Sequence, residues 1–130
     1  MLIPAEDLTD TTLAYAVAKA EGFTLYKDAL LDGRVKEGWW LQGYYIHDAN
    51  EWLPLSLYNP HNDWSQGGPI IEQHGMWVVR MSKDLWLGRL DPEAYYEEGI
   101  CGPTLLIAAM RRLVASKLGA VVDVPDDIYT

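Results

Sequence analysis

The sequence predicts an α+β fold: a single compact domain over 1–130, with an antiparallel sheet of about five or six strands and two main helices packed on it. Three observations predict it. Two segments, one near each end, carry apolar residues at helical spacing between a capping residue and a glycine. Between them lie runs rich in β-branched and aromatic residues, punctuated by short glycine-containing turns. The 130 residues also lack any repeat, low-complexity tract or shift of composition that would divide them, and their length suits one domain with its own core.

Taken in order, Leu2, Ile3 and Pro4 suit a short edge strand or an unstructured start. Thr9 is an N-cap, with Asp10 at the positive end of the helix dipole. Leu13, Ala16, Val17 and Ala20 then follow at helical spacing and Gly22 stands as a C′ glycine, so the first helix covers 10–21. Its apolar face is narrow and alanine-rich, which requires a close neighbour. Segments 23–31 and 34–45 read as strands joined by Asp32-Gly33, a favoured hairpin turn. Residues 46–50 form a polar connection. Pro54 demotes 51–58 to an edge strand or an irregular stretch.

Residues 59–69 read as an ordered loop, with 70–73 and 76–81 as a hairpin around His74-Gly75. In the second of those strands Trp77 and Val79 share one face, Val78 and Arg80 the other. Region 83–99 reads as loop with a short helix at Asp91-Pro92-Glu93, and Leu85, Leu87, Leu90, Tyr95 and Tyr96 are apolar enough for burial. The strongest helix is 103–118, with Leu106, Ile107, Met110, Leu113, Val114 and Leu118 on its apolar face and Gly119 at its end. A last strand covers 121–124.

Composition narrows the function. The net charge of −9, from 19 acidic and 10 basic residues, disfavours non-specific nucleic acid, whose affinity comes from Lys and Arg on phosphates. It disfavours an anionic membrane surface as well. The single cysteine, Cys101, cannot form an internal disulfide and suits a reducing compartment. With no signal peptide and no run long enough to span a bilayer, a soluble cytoplasmic protein is expected. Six tryptophans and eight tyrosines against one phenylalanine favour interfaces or ligand walls over a dry core.

The blocks YAVAKAEG at 15–22, DWSQGGPIIE at 63–72, GPTLLIAAMRRLVASKLG at 102–119 and VDVP at 122–125 together resemble the NinX-like proteins of tailed phages, a family of unknown function. The blocks keep the family's order; residues 34–58 and 83–100 depart from its pattern. The resemblance implies a phage or prophage origin and expression inside a bacterial host. It implies no chemistry.

The residues themselves do not supply catalysis. Cys101 lies near a helix start, where a thiol pKa can fall, but no partner is marked, and it reads better as a small buried hydrophobe. Trp64-Ser65-Gln66-Gly67 is not a nucleophile elbow. His47-Asp48 and His61-x-Asp63 lack zinc-site spacing, and are explained as turn caps. Neither a metal nor a cofactor is expected, and the chain is read as a non-enzyme.

Two glycine-containing turns offer an anion site. Gly67-Gly68 and Gly102-Pro103-Thr104 free the backbone for close approach, and the second opens a helix whose N–H groups favour a phosphate or carboxylate. Thr104 adds a hydroxyl, Arg80 or Arg111 a cation, and Trp64 a stacking ring. The candidate ligand-binding residues are therefore Asp63, Trp64, Ser65, Gln66, Gly67, Gly68, Arg80, Gly102, Thr104 and Arg111. The expectation is a phage accessory protein acting by binding, with a small anionic or nucleotide-type molecule of host defence as ligand. The alternative is an inhibitor or adaptor of a host protein working through the Trp/Tyr-rich region 39–58, and the aromatic excess makes a homodimer a reasonable expectation. An uncharacterised small enzyme comes third. In the loop reading without a ligand, Asp63 caps its own turn and Trp64 plugs the core.

Overall fold

A computed structural model describes residues 1–43, 52–90 and 99–128. The element order is β1 (Leu2–Pro4), α1 (Asp10–Ala20), β2 (Thr24–Leu31), β3 (Arg34–Gln42), β4 (Trp52–Pro54), α2 (Trp64–His74), β5 (Trp77–Ser82), β6 (Leu85–Arg89), β7 (Ile100–Gly102), α3 (Leu105–Leu118) and β8 (Val121–Asp123). Short 3-10 turns at Ala5–Asp7, Leu55–Leu57 and Asp126–Ile128 complete it. The α+β class holds. The strands, however, form three small antiparallel sheets, β1–β8, β2–β3–β4 and β5–β6–β7, in place of one larger sheet. Among the described residues there are three helices, and none is long and apolar enough to cross a membrane.

The first helix starts where its cap dictates. The Thr12 hydroxyl accepts from the Thr9 N–H at 3.1 Å and donates to the Thr9 carbonyl at 2.6 Å, closing the first turn. Every residue from Thr12 to Ala18 is buried, so α1 is a central helix rather than an amphipathic surface one. Its alanines admit α3, which packs directly on it. On α3, Ala109, Met110, Leu113 and Val114 join that core, together with Leu8, Leu41 and Tyr58.

Sheet β5–β6–β7 reaches α3 through missing side chains. A Cβ on Gly88 would lie 2.5 Å from the Ala108 carbonyl oxygen, and one on Gly102 would lie 2.6 Å from the Ala108 nitrogen. Backbone therefore meets backbone, and only glycine fits. Gly102 belongs to β7, so α3 begins two residues later than the expected 103, at Leu105, with Thr104 as its N-cap.

Two further expectations are corrected. Residues 59–69 are not one long loop and 70–73 are not a strand: Trp64–His74 is a single α-helix, capped by Asp63 and ended by Gly75 at φ 59°. Pro69 lies inside it. The usual penalty for helical backbone ahead of proline arises partly from the preceding Cβ, which Gly68 lacks, and the lost N–H bond falls near the helix start. Burial of Gly67 and Ile70 on the inward face offsets the remainder. Second, 83–99 holds the strand β6, paired with β5 across a turn at Lys83-Asp84. Leu85 is exposed, while Leu87 and Leu90 are half-buried. The strand end at 43–45, the connection at 46–50, the short helix at Asp91-Pro92-Glu93, Tyr95 and Tyr96 lie wholly or largely outside the described residues.

Candidate functional site

The Asp63–Gly68 stretch and the start of α3 do lie side by side. The contact is made by Gly67, which sits against the Pro60 carbonyl, and a Cβ there would also come within 2.8 Å of Leu106 Cδ2. Most polar groups of the stretch are engaged internally. Asp63 Oδ1 accepts from the Ser65 N–H at 2.9 Å and from the Ser65 hydroxyl at 2.7 Å. Gln66 folds back as a clasp, its Oε1 accepting from the Asn59 N–H at 2.6 Å and its Nε2 donating to the Leu57 carbonyl at 2.9 Å. Thr104 Oγ1 accepts from the Ile107 N–H at 3.2 Å, the bond an N-cap makes. Trp64 does not plug the core; it is 59% exposed at the first turn of α2.

The two arginines are placed elsewhere. Arg80, on β5, curls onto the Ser82 carbonyl at 3.3 Å and lies 5.7 Å from the Trp86 ring centre. Arg111 ties the segment before α1 to β7, donating from Nε to the Leu8 carbonyl at 2.9 Å and from Nη1 to the Cys101 carbonyl at 3.1 Å. Burial lowers the pKa of its guanidinium, with Asp7 and Glu6 opposing. Arg111 and Gly102 share a cleft of about 470 Å³ with Cys101, Glu6, Asp7 and Asp84. Three carboxylates against one guanidinium give that cleft a field unfavourable to an anion. Cys101 is free and exposed, not a buried hydrophobe.

Of the histidines, His74 lies 2.9 Å from Glu21 Oε1 and joins α2 to the end of α1. His61 is 2% exposed. Burial lowers its pKa, with Asp10 opposing. His47 is outside the described residues.

A second arrangement, on sheet β2–β3–β4, combines residues far apart in the chain. The β2–β3 ladder breaks its register between Lys27 and Ala29. Asp28 takes φ 56° and Gly38 φ 94° there, and Asp28 Oδ1 accepts from the Gly38 N–H at 2.9 Å. A bulge of this kind re-aims the side chains beside it. Trp40 lays its indole N–H on the Glu37 carbonyl at 3.2 Å. Trp39 turns inward, edge-on to Tyr15 at 5.6 Å, with its N–H toward Asp127 Oδ1 at 3.4 Å. A cleft of about 230 Å³ lies here, lined by Glu37, Trp39, Trp40, Pro54, Leu55 and Asp127 among others. Asp127 is ion-paired with Lys27, which lowers its pKa and raises that of Lys27. On the same sheet Tyr26 and Trp52 meet at 5.0 Å.

Sequence reasoning missed Glu37 and Asp127, because Asp127 joins Trp39 across 88 positions and nothing local signals that pairing. The double tryptophan at 39 and 40 was the one available sign.

A search of curated proteins finds no match to the chain. A family model described as bacteriophage P22 NinX matches residues 5–117, running through 34–58 and 83–100 as well as the blocks at 15–22 and 63–72 and nearly all of that at 102–119. That span takes in α1, α2, all of β2 to β7 and nearly all of α3. The chain belongs to the bacteriophage P22 NinX family.

Proposed function

We propose that this NinX-family phage protein is an accessory protein that acts by binding a host protein, through the exposed face of β5. The observation that carries the reading is a stripe on that strand: Trp77, Val79 and Met81 are 51%, 42% and 58% exposed. Their strand is an edge of its sheet, paired only with β6 among the described residues. Contiguous exposed apolar side chains on an unpaired edge suit addition of a partner's strand, with backbone bonds for affinity and alternate side chains for selection. The reading differs from the expected contact region 39–58; among its described residues Trp39 turns inward and Trp40 and Trp52 are half-buried.

The test is capture of host proteins on the wild-type chain and on Val79→Lys. The variant puts a charge on the stripe at a position already open to solvent. Loss of a specific partner with an unchanged melting temperature supports the reading. Equal capture by both chains removes it, and a self-association that Val79→Lys dissolves replaces the host protein with a homodimer.

A second reading is favoured by Trp64. Its exposed ring at the start of α2 is free to stack on the base of a small anionic, nucleotide-type ligand of host defence, a contact of about 1–3 kcal/mol where it forms. Thermal shift against nucleotides and cyclic nucleotides tests it. No shift with any of them sinks the ligand, and a shift that survives Trp64→Ala sinks the stacking role.

A further inference from the structure

We propose that the cleft lined by Trp39, Trp40, Glu37 and Asp127, beside the end of β4, is a binding site for a cationic side chain, an arginine or lysine of a protein partner. The proposal does not depend on the β5 stripe.

Size restricts the ligand first. About 230 Å³ is below the range of roughly 300–1,000 Å³ that small-molecule sites occupy. It suits one long side chain rather than a nucleotide.

Chemistry restricts it next. The cleft's lining combines Trp39 and Trp40, which project to opposite faces of β3, with Pro54 and Leu55, and its charged residues are Glu37 and Asp127. Aromatic faces attract a cation through their quadrupole, and more strongly where water is excluded. Carboxylates add direct attraction, and a chain of net charge −9 draws cations toward it. An anion meets repulsion here. A metal ion lacks its ligands: among the described residues no group of three His, Cys, Asp or Glu is placed to hold one.

The rings are also set in advance. Trp40 is held by its bond to the Glu37 carbonyl at 3.2 Å, and Trp39 is directed by Asp127 at 3.4 Å and by Tyr15. Fixed walls spare an incoming side chain the cost of ordering them. The site's own chain already supplies a sample of the ligand. The Lys27 ammonium is paired with Asp127 at the cleft edge, so an incoming guanidinium or ammonium competes with Lys27 for that carboxylate.

The experiment is an NMR titration of the indole N–H signals of Trp39 and Trp40. The probes are N-acetyl-arginine amide and N-acetyl-lysine amide, with N-acetyl-citrulline amide and N-acetyl-norleucine amide as neutral shape controls. The cationic probes are expected to give a saturable shift, roughly tenfold tighter than the neutral ones, and weakened by salt as exposed charges require. Glu37→Gln is expected to weaken binding roughly twofold to fivefold. Its side chain is exposed and the carbonyl that holds Trp40 is retained, so the fold is kept. Lys27→Met removes the competitor and is expected to tighten binding. An equal response to neutral probes, no saturable response, or an affinity unchanged by Glu37→Gln overturns the proposal. Val79→Lys is expected to leave the titration unaltered, so failure of the β5 reading and failure of this one are told apart.

Discussion

Gly67 of α2 rests on the carbonyl of Pro60, so closely that a side chain of any size at 67 meets that backbone and Leu106 of α3 together. The contact locks the turn before α2 to the helix and docks both on α3. Gly68, its neighbour, faces open space, with Trp64 Cε3 the nearest atom at 4.0 Å from an added Cβ.

Adjacent glycines should therefore respond with opposite signs. Gly67→Ala is expected to cost about 1–3 kcal/mol, because backbone cannot yield as a flexible side chain does. Gly68→Ala is expected to stabilise by up to about 1 kcal/mol through helix propensity, less whatever strain a Cβ ahead of Pro69 adds. Urea unfolding of the two variants checks this. A loss at Gly68 as large as at Gly67 contradicts the packing described.

The caps of α2 and α3 should each be worth about 1 kcal/mol. Asp63→Ala removes the acceptor of the Ser65 N–H, and Thr104→Ala that of the Ile107 N–H. Because Gly67 and Leu106 bring the two helix starts into contact, the double variant is expected to depart from additivity. Denaturant midpoints of the single and double variants measure both effects.

Arg111 spans two carbonyls, those of Leu8 and Cys101. Arg111→Met leaves both without this donor and is expected to cost about 1.5–3 kcal/mol, the range for bonds to a charged group. Arg111→Lys should recover little of it, since a single ammonium lacks the guanidinium fork. Unfolding free energies of the pair, and hydrogen exchange in β7, report the loss.

Protonation of His61 should destabilise the fold. Its Nδ1 is buried and without a hydrogen-bond partner among the described residues, and burial holds its pKa below the ordinary value, Asp10 opposing. The unfolded chain takes up the proton near the ordinary value of about 6.5 while the folded one resists. Stability is thus complete above that pH and falls as pH decreases through and below it, with a slope approaching about 1.4 kcal/mol per pH unit. His61→Leu should flatten the curve between about pH 7 and pH 5. An unchanged slope assigns the acid loss to other groups.

Local signals account for what could be read before the fold was known. Thr9 and Gly22 bracket α1, Asp32-Gly33 turns β2 into β3, and Gly119 ends α3, each through the backbone preference of one or two residues. The same chemistry misled at 63–75. Gly67, Gly68 and Pro69 are all poor helix formers, yet Asp63 at the N-cap and Gly75 in the left-handed conformation at the end were both visible as helix signals. Propensity lost to burial there, because Gly67 and Ile70 gain contacts no isolated segment has. For the candidate sites the outcome was similar. The sequence pointed to Trp64, Gly67 and Thr104 as one unit; Gly67 meets Leu106 at the start of α3, while Asp63 and Thr104 serve as caps and Gln66 as a clasp.

The sequence by itself determined the α+β class, the two principal helices, the first hairpin and the family, because each depends on residue identity at fixed short spacing. Only the tertiary structure decided that the strands part into three sheets, that α2 is a helix, and that Trp39 meets Asp127 across 88 positions. Those outcomes depend on which surfaces find each other in space. Where backbone must touch backbone, as at Gly88 and Gly102 on Ala108, the choice belongs to the packing of the whole chain.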